Sequence, residues 1–445
     1  MKMLKREGKL VKYFTLNMIL YRLSLDFLYV TVLNEYHKKS VLLSRGIFHL
    51  EINEFKYGLS WIFYLIFTIF INKSILKTTN KASEILTLGL FVISFVPTIS
   101  LFGLANLQYE FLLNFIVFWM IFLASVYFFC RNEKKRVFKQ NFKLNDKSKY
   151  YVWLIIFYVF CLGVFIISYL VNGLRLNLTL DSIKIYELRS LAKSKNLGSI
   201  VDYFRNNAMY IIIPFAGIYF WQKKNWFFLS GLIYIQLLLY SIDNQKAALF
   251  ILPASIIAYV FYKKFIIELV PLLLTILNIF IFIESLFKKS TFLVSTILER
   301  MYYLPAILSN CYFEYFKEMP SVVPFVSIFQ KIGFVNDYPY TMGVPYIIGG
   351  VYFNNSAISA NTGMFGSAYS YGILGVLIIP FVYGFLLSLL NKATTGLEVK
   401  TYISILIFLI YAITGATIFV VISVYGYILA LILLSLVNNN SRFQL

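Results

Sequence analysis

Histidine is almost missing from this chain of 445 residues: only His37 and His49 occur, both in or beside one early connection. A zinc site or a histidine dyad has no material anywhere after residue 49. Cysteine is scarce too. Cys130, Cys161 and Cys311 stand at unpatterned spacing, which implies neither a disulfide framework nor a metal site and reads as three buried free thiols. No G-x-x-x-x-G-K-[ST] stretch occurs, so the chain is not an ATP-driven pump acting alone. No D-x-D occurs either, which leaves a metal-bound nucleotide-sugar donor unsupported. Acidic residues number 20 against 40 lysines and arginines, for a formal charge of +20.

What the chain has in abundance is apolar surface. Hydrophobic residues make up 60% and the mean hydropathy is +0.76, far above a soluble domain, so the cations must lie outside the apolar runs. A bilayer core of about 30 Å takes about 20 apolar residues per helix. The runs do not alternate as barrel strands do, so the expected fold is all-α, a polytopic membrane bundle forming a single domain over 1–445. Spans are predicted near 13–33, 50–71, 85–105, 110–130, 151–171, 208–221, 226–242, 247–262, 265–285, 366–390, 401–415 and 418–437. Two long gaps remain, at about 172–207 and 286–365.

Lys2, Lys5, Arg6, Lys9 and Lys12 precede the first span, which lacks a small-residue cleavage site and reads as a retained helix. The bias of cytoplasmic loops toward lysine and arginine puts the N-terminus inside. Alternate connections are then all basic: Lys73, Lys77 and Lys81, the run from Arg131 to Lys149, Lys223 and Lys224, Lys263 and Lys264, and Lys392 with Lys400. Both long gaps fall outside, and both termini inside. Lys38, Lys39 and Arg45 in the first outer loop run against this pattern. The last apolar stretch admits two readings, a hairpin at Gly415 giving twelve spans, or one long tilted helix giving eleven with the C-terminus outside.

The first long gap carries Arg175, Lys184, Arg189, Lys193, Lys195 and Arg205 against Asp181, Glu187 and Asp202. A net positive outer loop opposes the usual bias, which gives these cations a functional reading beside that of solvated surface charge. Arg189 and Lys193 would share one face of a short surface helix. An arginine fork grips phosphate oxygens in pairs and a lysine adds a point charge, so a polyprenyl diphosphate suits the cluster. At the polar turn Asp243-Asn244-Gln245-Lys246, Lys246 either meets an arriving headgroup or snorkels to the interface. The second gap opens with Glu299-Arg300 and becomes rich in Tyr, Asn, Gly and Pro, a composition that fits a carbohydrate platform or a structured cap. Asn361 and Tyr369 are its polar exceptions among glycines, Gly366, Gly372 and Gly375, whose spacing suits close helix packing. Asp181, Glu187, Asp202, Asp243 and Glu299 are the outer carboxylates able to act as a base, with no ranking among them. Within the first span Arg22 and Asp26 stand one turn apart and read as an architectural pair.

Taken together, the Arg175 and Arg189 loop, the Asn244 to Lys246 turn, the Glu299-Arg300 pair and Asn361-Thr362-Gly363 running into Gly366-Ser367-Ala368-Tyr369 and Gly372 resemble Wzy-type O-antigen or capsular polysaccharide polymerases. The resemblance covers most of the chain and rests more on layout than on any motif. It implies a bacterial inner-membrane enzyme that moves a glycan from undecaprenyl diphosphate onto a new lipid-linked repeat unit at the outer face. It further implies metal-independent, cofactor-free transfer, with Arg175, Arg189, Lys193, Arg205, Lys246 and Arg300 as candidates to bind the lipid diphosphate and stabilise it as it leaves. A chain-length regulator and a flippase would be the protein partners, membrane lipids the surroundings, and nucleic acid has no part. Lys246 departs from the arginine common in similar turns, so single-point phosphate contact is expected there. Three rival membrane proteins remain, of which the ligase shares the architecture. A lipid-linked oligosaccharide flippase would show an internal repeat, which the sequence lacks. A ligase similar to those acting on finished O-antigen would carry a histidine in the large outer loop. A polyprenyl-monophosphate sugar transferase would want acidic motifs in the first outer loop, which has Glu35 and Glu51. A reporter active only outside the cytoplasm, fused after Leu191, is expected to be active; silence there would invert the topology.

Overall fold

The computed structural model describes residues 2–39, 47–76, 81–131, 146–179, 184, 187–188, 199–262, 266–287, 291–323, 339–340 and 342–438. Among them there is no strand; a lone backbone bridge joins Glu51 to Ala105. The helices, in chain order, are α1 (Tyr13–His37), α2 (Glu54–Ile75), α3 (Ala82–Leu104), α4 (Tyr109–Cys130), α5 (Tyr150–Asn172), α6 (199–222), α7 (Trp226–Asp243), α8 (Lys246–Phe261) and α9 (Leu269–Phe287). There follow α10 (Leu304–Glu318), α11 (Val344–Phe353), α12 (Met364–Tyr369), α13 (Gly372–Thr394), α14 (Val399–Gly415), α15 (Ile418–Ser423) and α16 (Tyr427–Asn438). Among the described residues seven helices, α1 to α5, α9 and α13, are long and apolar enough to cross a bilayer, and α7, α8, α11, α14 and α16 hold shorter apolar stretches. The chain is a multi-pass α-helical membrane protein.

Two predicted spans, 366–390 and 418–437, are divided in the structure, each where the backbone leaves the helix. The run 366–390 is divided at Gly372, whose φ of +67° suits a residue without Cβ, so the crossing helix starts there and α12 stands apart. The final stretch breaks at Gly415 to Thr417, where Ala416 is extended and the Thr417 hydroxyl accepts from the Val420 N–H. One long tilted helix is thereby excluded. A second break at Gly426, φ +73°, divides α15 from α16. In the first long gap, helix α6 begins at Ser199, ahead of the predicted 208, so Asp202 and Arg205 ride on its opening turns.

Among the described residues five segments wind as π-helix: Tyr29–Leu33, Ile71–Ile75, Phe91–Phe95, Ala208–Ile212 and Val294–Tyr303. Helices α4 and α13 pack closely because Gly384 meets Ser125; a Cβ on Gly384 would lie 2.1 Å from the Ser125 Oγ. That hydroxyl also donates to the Pro380 carbonyl at 3.1 Å. Between α3 and α4, Phe91, Phe95, Phe115 and Trp119 form one buried aromatic stack.

At mid-length of α1 sits the most expensive group in the bundle. Arg22 is fully buried, pairs with Asp26 at 3.5 Å, and donates to the Ser60 carbonyl at 2.9 Å and the Ser60 hydroxyl at 2.5 Å. Its guanidinium lies over the rings of Trp61 and Tyr64, 4.2 and 4.9 Å from their centroids. Asp26 accepts from the Tyr57 hydroxyl at 2.8 Å and from Ser100 of α3. The pair forms, as its spacing predicted, and it ties α1 to α2 and α3. Removing one partner of such a buried pair costs about 3–5 kcal/mol. Asp26→Ala should therefore lower the thermal midpoint in detergent far more than the double substitution Arg22→Met with Asp26→Leu; equal losses would show that the pair carries no coupling.

Candidate functional site at one end of the bundle

Successive helices reverse direction, so the residues after α1, α3, α5, α7 and α9 share one end of the bundle with the residues before α13. The segment from Ile47 to Asn53 closes one side of that end. Glu51 and Asn53 donate their N–H groups to the Leu104 and Gly103 carbonyls, both at 2.9 Å, and His49 Nε2 meets the Ala105 carbonyl at 2.9 Å. Lys56 caps the same helix end, with Nζ donating to Asn106 Oδ1 at 2.6 Å and to the Leu107 carbonyl at 2.7 Å. Both histidines of the chain are thus structural neighbours of α1 to α3; His37 stacks on Phe48 at 4.2 Å and faces Glu299 at 3.8 Å.

The first long segment leaves α5 along 175–179 and is pinned to the end of α7. The Asn172 amide donates to the Ser241 carbonyl at 3.1 Å, the Ser241 hydroxyl accepts from Asn177 N–H at 3.1 Å, and Tyr240 donates to the Thr179 carbonyl. Arg175 is exposed at its start, and Glu187 is exposed further along. On α6, Arg205 is largely buried and pairs with the exposed Asp202 at 3.3 Å. One turn deeper, Tyr210 donates to Gln245 at 2.9 Å and packs against Phe408, Tyr411 and Tyr425. Asn244, at the tip of the α7 to α8 turn, is left-handed with φ +51° and fully buried. Asp243 and Lys246 flank this turn, and their side chains lie outside the described residues. Asp181, Arg189 and Lys193, with the short helix predicted for them, also lie outside the described residues.

The described residues of the second long segment form a folded cap. A π-helix from Val294 to Tyr303 carries the half-buried Glu299 and the exposed Arg300, then runs into α10. The Tyr303 hydroxyl reaches the Leu25 carbonyl at 3.0 Å, seating this cap on α1. At the other end of α10, Lys317 pairs with Glu110 at 2.5 Å and donates to Gln108 at 3.2 Å; the hydrogen bond it gives Glu110 raises the lysine above its ordinary value. Asn361 is exposed, while its neighbours Thr362 and Gly363 are packing residues. Thr362 meets Ser309 of α10 at 3.1 Å, and a Cβ on Gly363 would lie 2.4 Å from the Thr414 carbonyl oxygen of α14. Tyr369 is half-buried against Phe313, and burial pushes its phenol above the ordinary value.

Beside these predicted residues stands a carboxylate the sequence reading passed over. Glu314, half-buried on α10, accepts from the Asn310 amide at 2.8 Å and from the Tyr352 hydroxyl of α11 at 3.4 Å. Burial, then Cys311 and Glu314, hold Tyr352 above its ordinary value, so the phenol stays a donor. The four-residue spacing of Asn310 and Glu314 on an aromatic-rich helix was the available signal.

The structure thus brings Asp202 to Arg205, Glu299 to His37, and the Asn361-Thr362-Gly363 turn to α10 and α14. Phe292 of the second long segment meets Phe250 of α8 at 6.1 Å, and Tyr371, just before α13, meets Phe419 of α15 at 5.9 Å. Comparison of the chain with protein-family models, with curated proteins and with solved structures finds no match. Because Gly363 abuts backbone that cannot swing aside, Gly363→Ala should cost about 1–3 kcal/mol, read as lower thermal stability and poorer yield of folded protein. An unchanged melting midpoint would show that α12 is not clamped on α14.

Proposed function

We propose that this chain is a membrane glycosyltransferase that joins polyprenyl-diphosphate-linked oligosaccharide repeat units into a surface polysaccharide, in the manner of the Wzy-type polymerases it resembles. The observation that carries the reading is the gathering, at one end of a multi-pass bundle, of the described parts of the two long segments between membrane helices. Together they offer arginines at 175, 205 and 300, carboxylates at 202, 299 and 314, and a cap rich in tyrosine and asparagine. A lipid-linked substrate arrives from within the bilayer with its diphosphate at headgroup level. Breaking the bond between sugar and diphosphate develops negative charge on the leaving group, and fixed guanidinium groups stabilise that charge more in the transition state than in the ground state. The acceptor hydroxyl needs a carboxylate to take its proton. The outer face of a bacterial inner membrane supplies lipid-linked sugars without ATP, and the basic ends of the alternate connections suit that orientation.

The test is a gel of surface glycan from cells in which the gene is deleted. Loss of the ladder with one repeat unit still displayed supports the polymerase. Loss of every displayed repeat favours a flippase, and free polymer that fails to attach favours a ligase. Arg300→Lys keeps the charge and loses the paired hydrogen bonds, so it should cost about 1.5–3 kcal/mol, roughly tenfold or more in turnover, and shorten the polymer. Wild-type ladders from this variant would remove Arg300 from the diphosphate site.

A further inference from the structure

We propose that Glu314, held by Asn310 and Tyr352, is the group that receives the proton of the acceptor sugar's hydroxyl; this rests on the glycosyltransferase reading. A carboxylate can act as a general base where its lone pairs are not already committed to a cation. At this end of the bundle Asp202 is paired with Arg205 and Glu110 with Lys317. Glu314 takes its hydrogen bonds from two neutral donors, an amide and a phenol. These donors fix the carboxylate without neutralising it, and each of its oxygens keeps a lone pair.

A second observation points to a ligand at the same place. Asn310 is only 4% exposed, its amide nitrogen is committed to Glu314, and its carbonyl oxygen has no hydrogen-bond partner. A buried acceptor without a donor costs about 1–3 kcal/mol, so the site wants an O–H or N–H from outside the protein. Beside it lie the Glu314 oxygens, also acceptors. Two adjacent acceptors on one helical turn match the donor pattern of neighbouring hydroxyls on a sugar ring. Tyr352, half-buried on α11, offers an aromatic face for the ring, and the exposed turn Asn354 to Ser356 follows directly.

The step balances as follows. The acceptor hydroxyl oxygen forms the new bond to the anomeric carbon of the donor glycan. The bond from that carbon to the diphosphate oxygen breaks, and its electron pair leaves with the lipid diphosphate. The hydroxyl proton passes to Glu314 and from there to solvent, which restores the carboxylate.

The titratable groups beside Glu314 are Cys311, Tyr315 and Glu318 of its own helix and Tyr352 of α11, while Tyr369 of α12 faces Lys317. With purified full-length protein in lipid vesicles and lipid-linked repeat units as substrate, Glu314→Gln should lower turnover about 100-fold or more, with substrate binding and the elution profile of the folded protein kept. Glu314→Asp should restore part of it. Tyr352→Phe removes a donor that positions the carboxylate, so kcat should fall with KM kept. Turnover of Glu314→Gln near that of wild type overturns the role. Should Glu314→Gln fail to fold, a kcat unmoved in Tyr352→Phe overturns it instead. Wild-type protein that extends no glycan under these conditions sinks the polymerase reading itself, an outcome read before any variant is compared.

Discussion

A guanidinium in the middle of a membrane helix is tolerated only where every one of its neighbours compensates it, and Arg22 sets that requirement for the first three helices. Asp26 supplies the countercharge, Ser60 the acceptors, and Trp61 and Tyr64 the ring faces. Each partner must hold its rotamer, so α2 and α3 cannot slide or rotate against α1 without exposing a charge to lipid. The tyrosines around the pair extend the constraint outward. Tyr64 reaches the Met18 carbonyl, Tyr21 the Val92 carbonyl, and Tyr303 the Leu25 carbonyl, so the same knot that fixes the membrane helices also seats the π-helical start of the cap.

That seating is what gives the far end of the molecule a defined shape. Helix α10 is held at its first turn by the tyrosines over α1 and at its last by Lys317 on Glu110. Between these two anchors the helix presents Asn310 and Glu314 toward α11, and Ser309 toward the 360–363 turn. Carboxylate and amide therefore sit on a helix fixed at both ends, which is the condition for holding a reacting group within a fraction of an ångström.

Hydropathy made the membrane helices legible, because lipid imposes length and apolarity on every crossing. It could not show Gly372 or Gly426, where the chain turns through positive φ inside otherwise apolar runs, since glycine adds little to a hydropathy window. The pairing of Arg22 with Asp26 followed from one-turn spacing alone. Thr362 and Gly363 read as part of a polar outer turn, yet they pack on Ser309 and Thr414, contacts made across more than fifty residues and invisible to local spacing. Glu314 is distinguished by neutral partners from two helices that only the fold brings together.

Helices α7 and α8 are short for the membrane they stand in. With 18 and 16 residues they reach about 27 and 24 Å, against a hydrocarbon core of about 30 Å. A bilayer meeting such a pair thins around it or lets water and headgroups descend, at a fraction of a kcal/mol per ångström. The dent would lie beside the Asn244 turn, where the first long segment is pinned. A lipid diffusing along the membrane would find its polar group lowered toward the protein there, so the bilayer itself would become part of the path to the site.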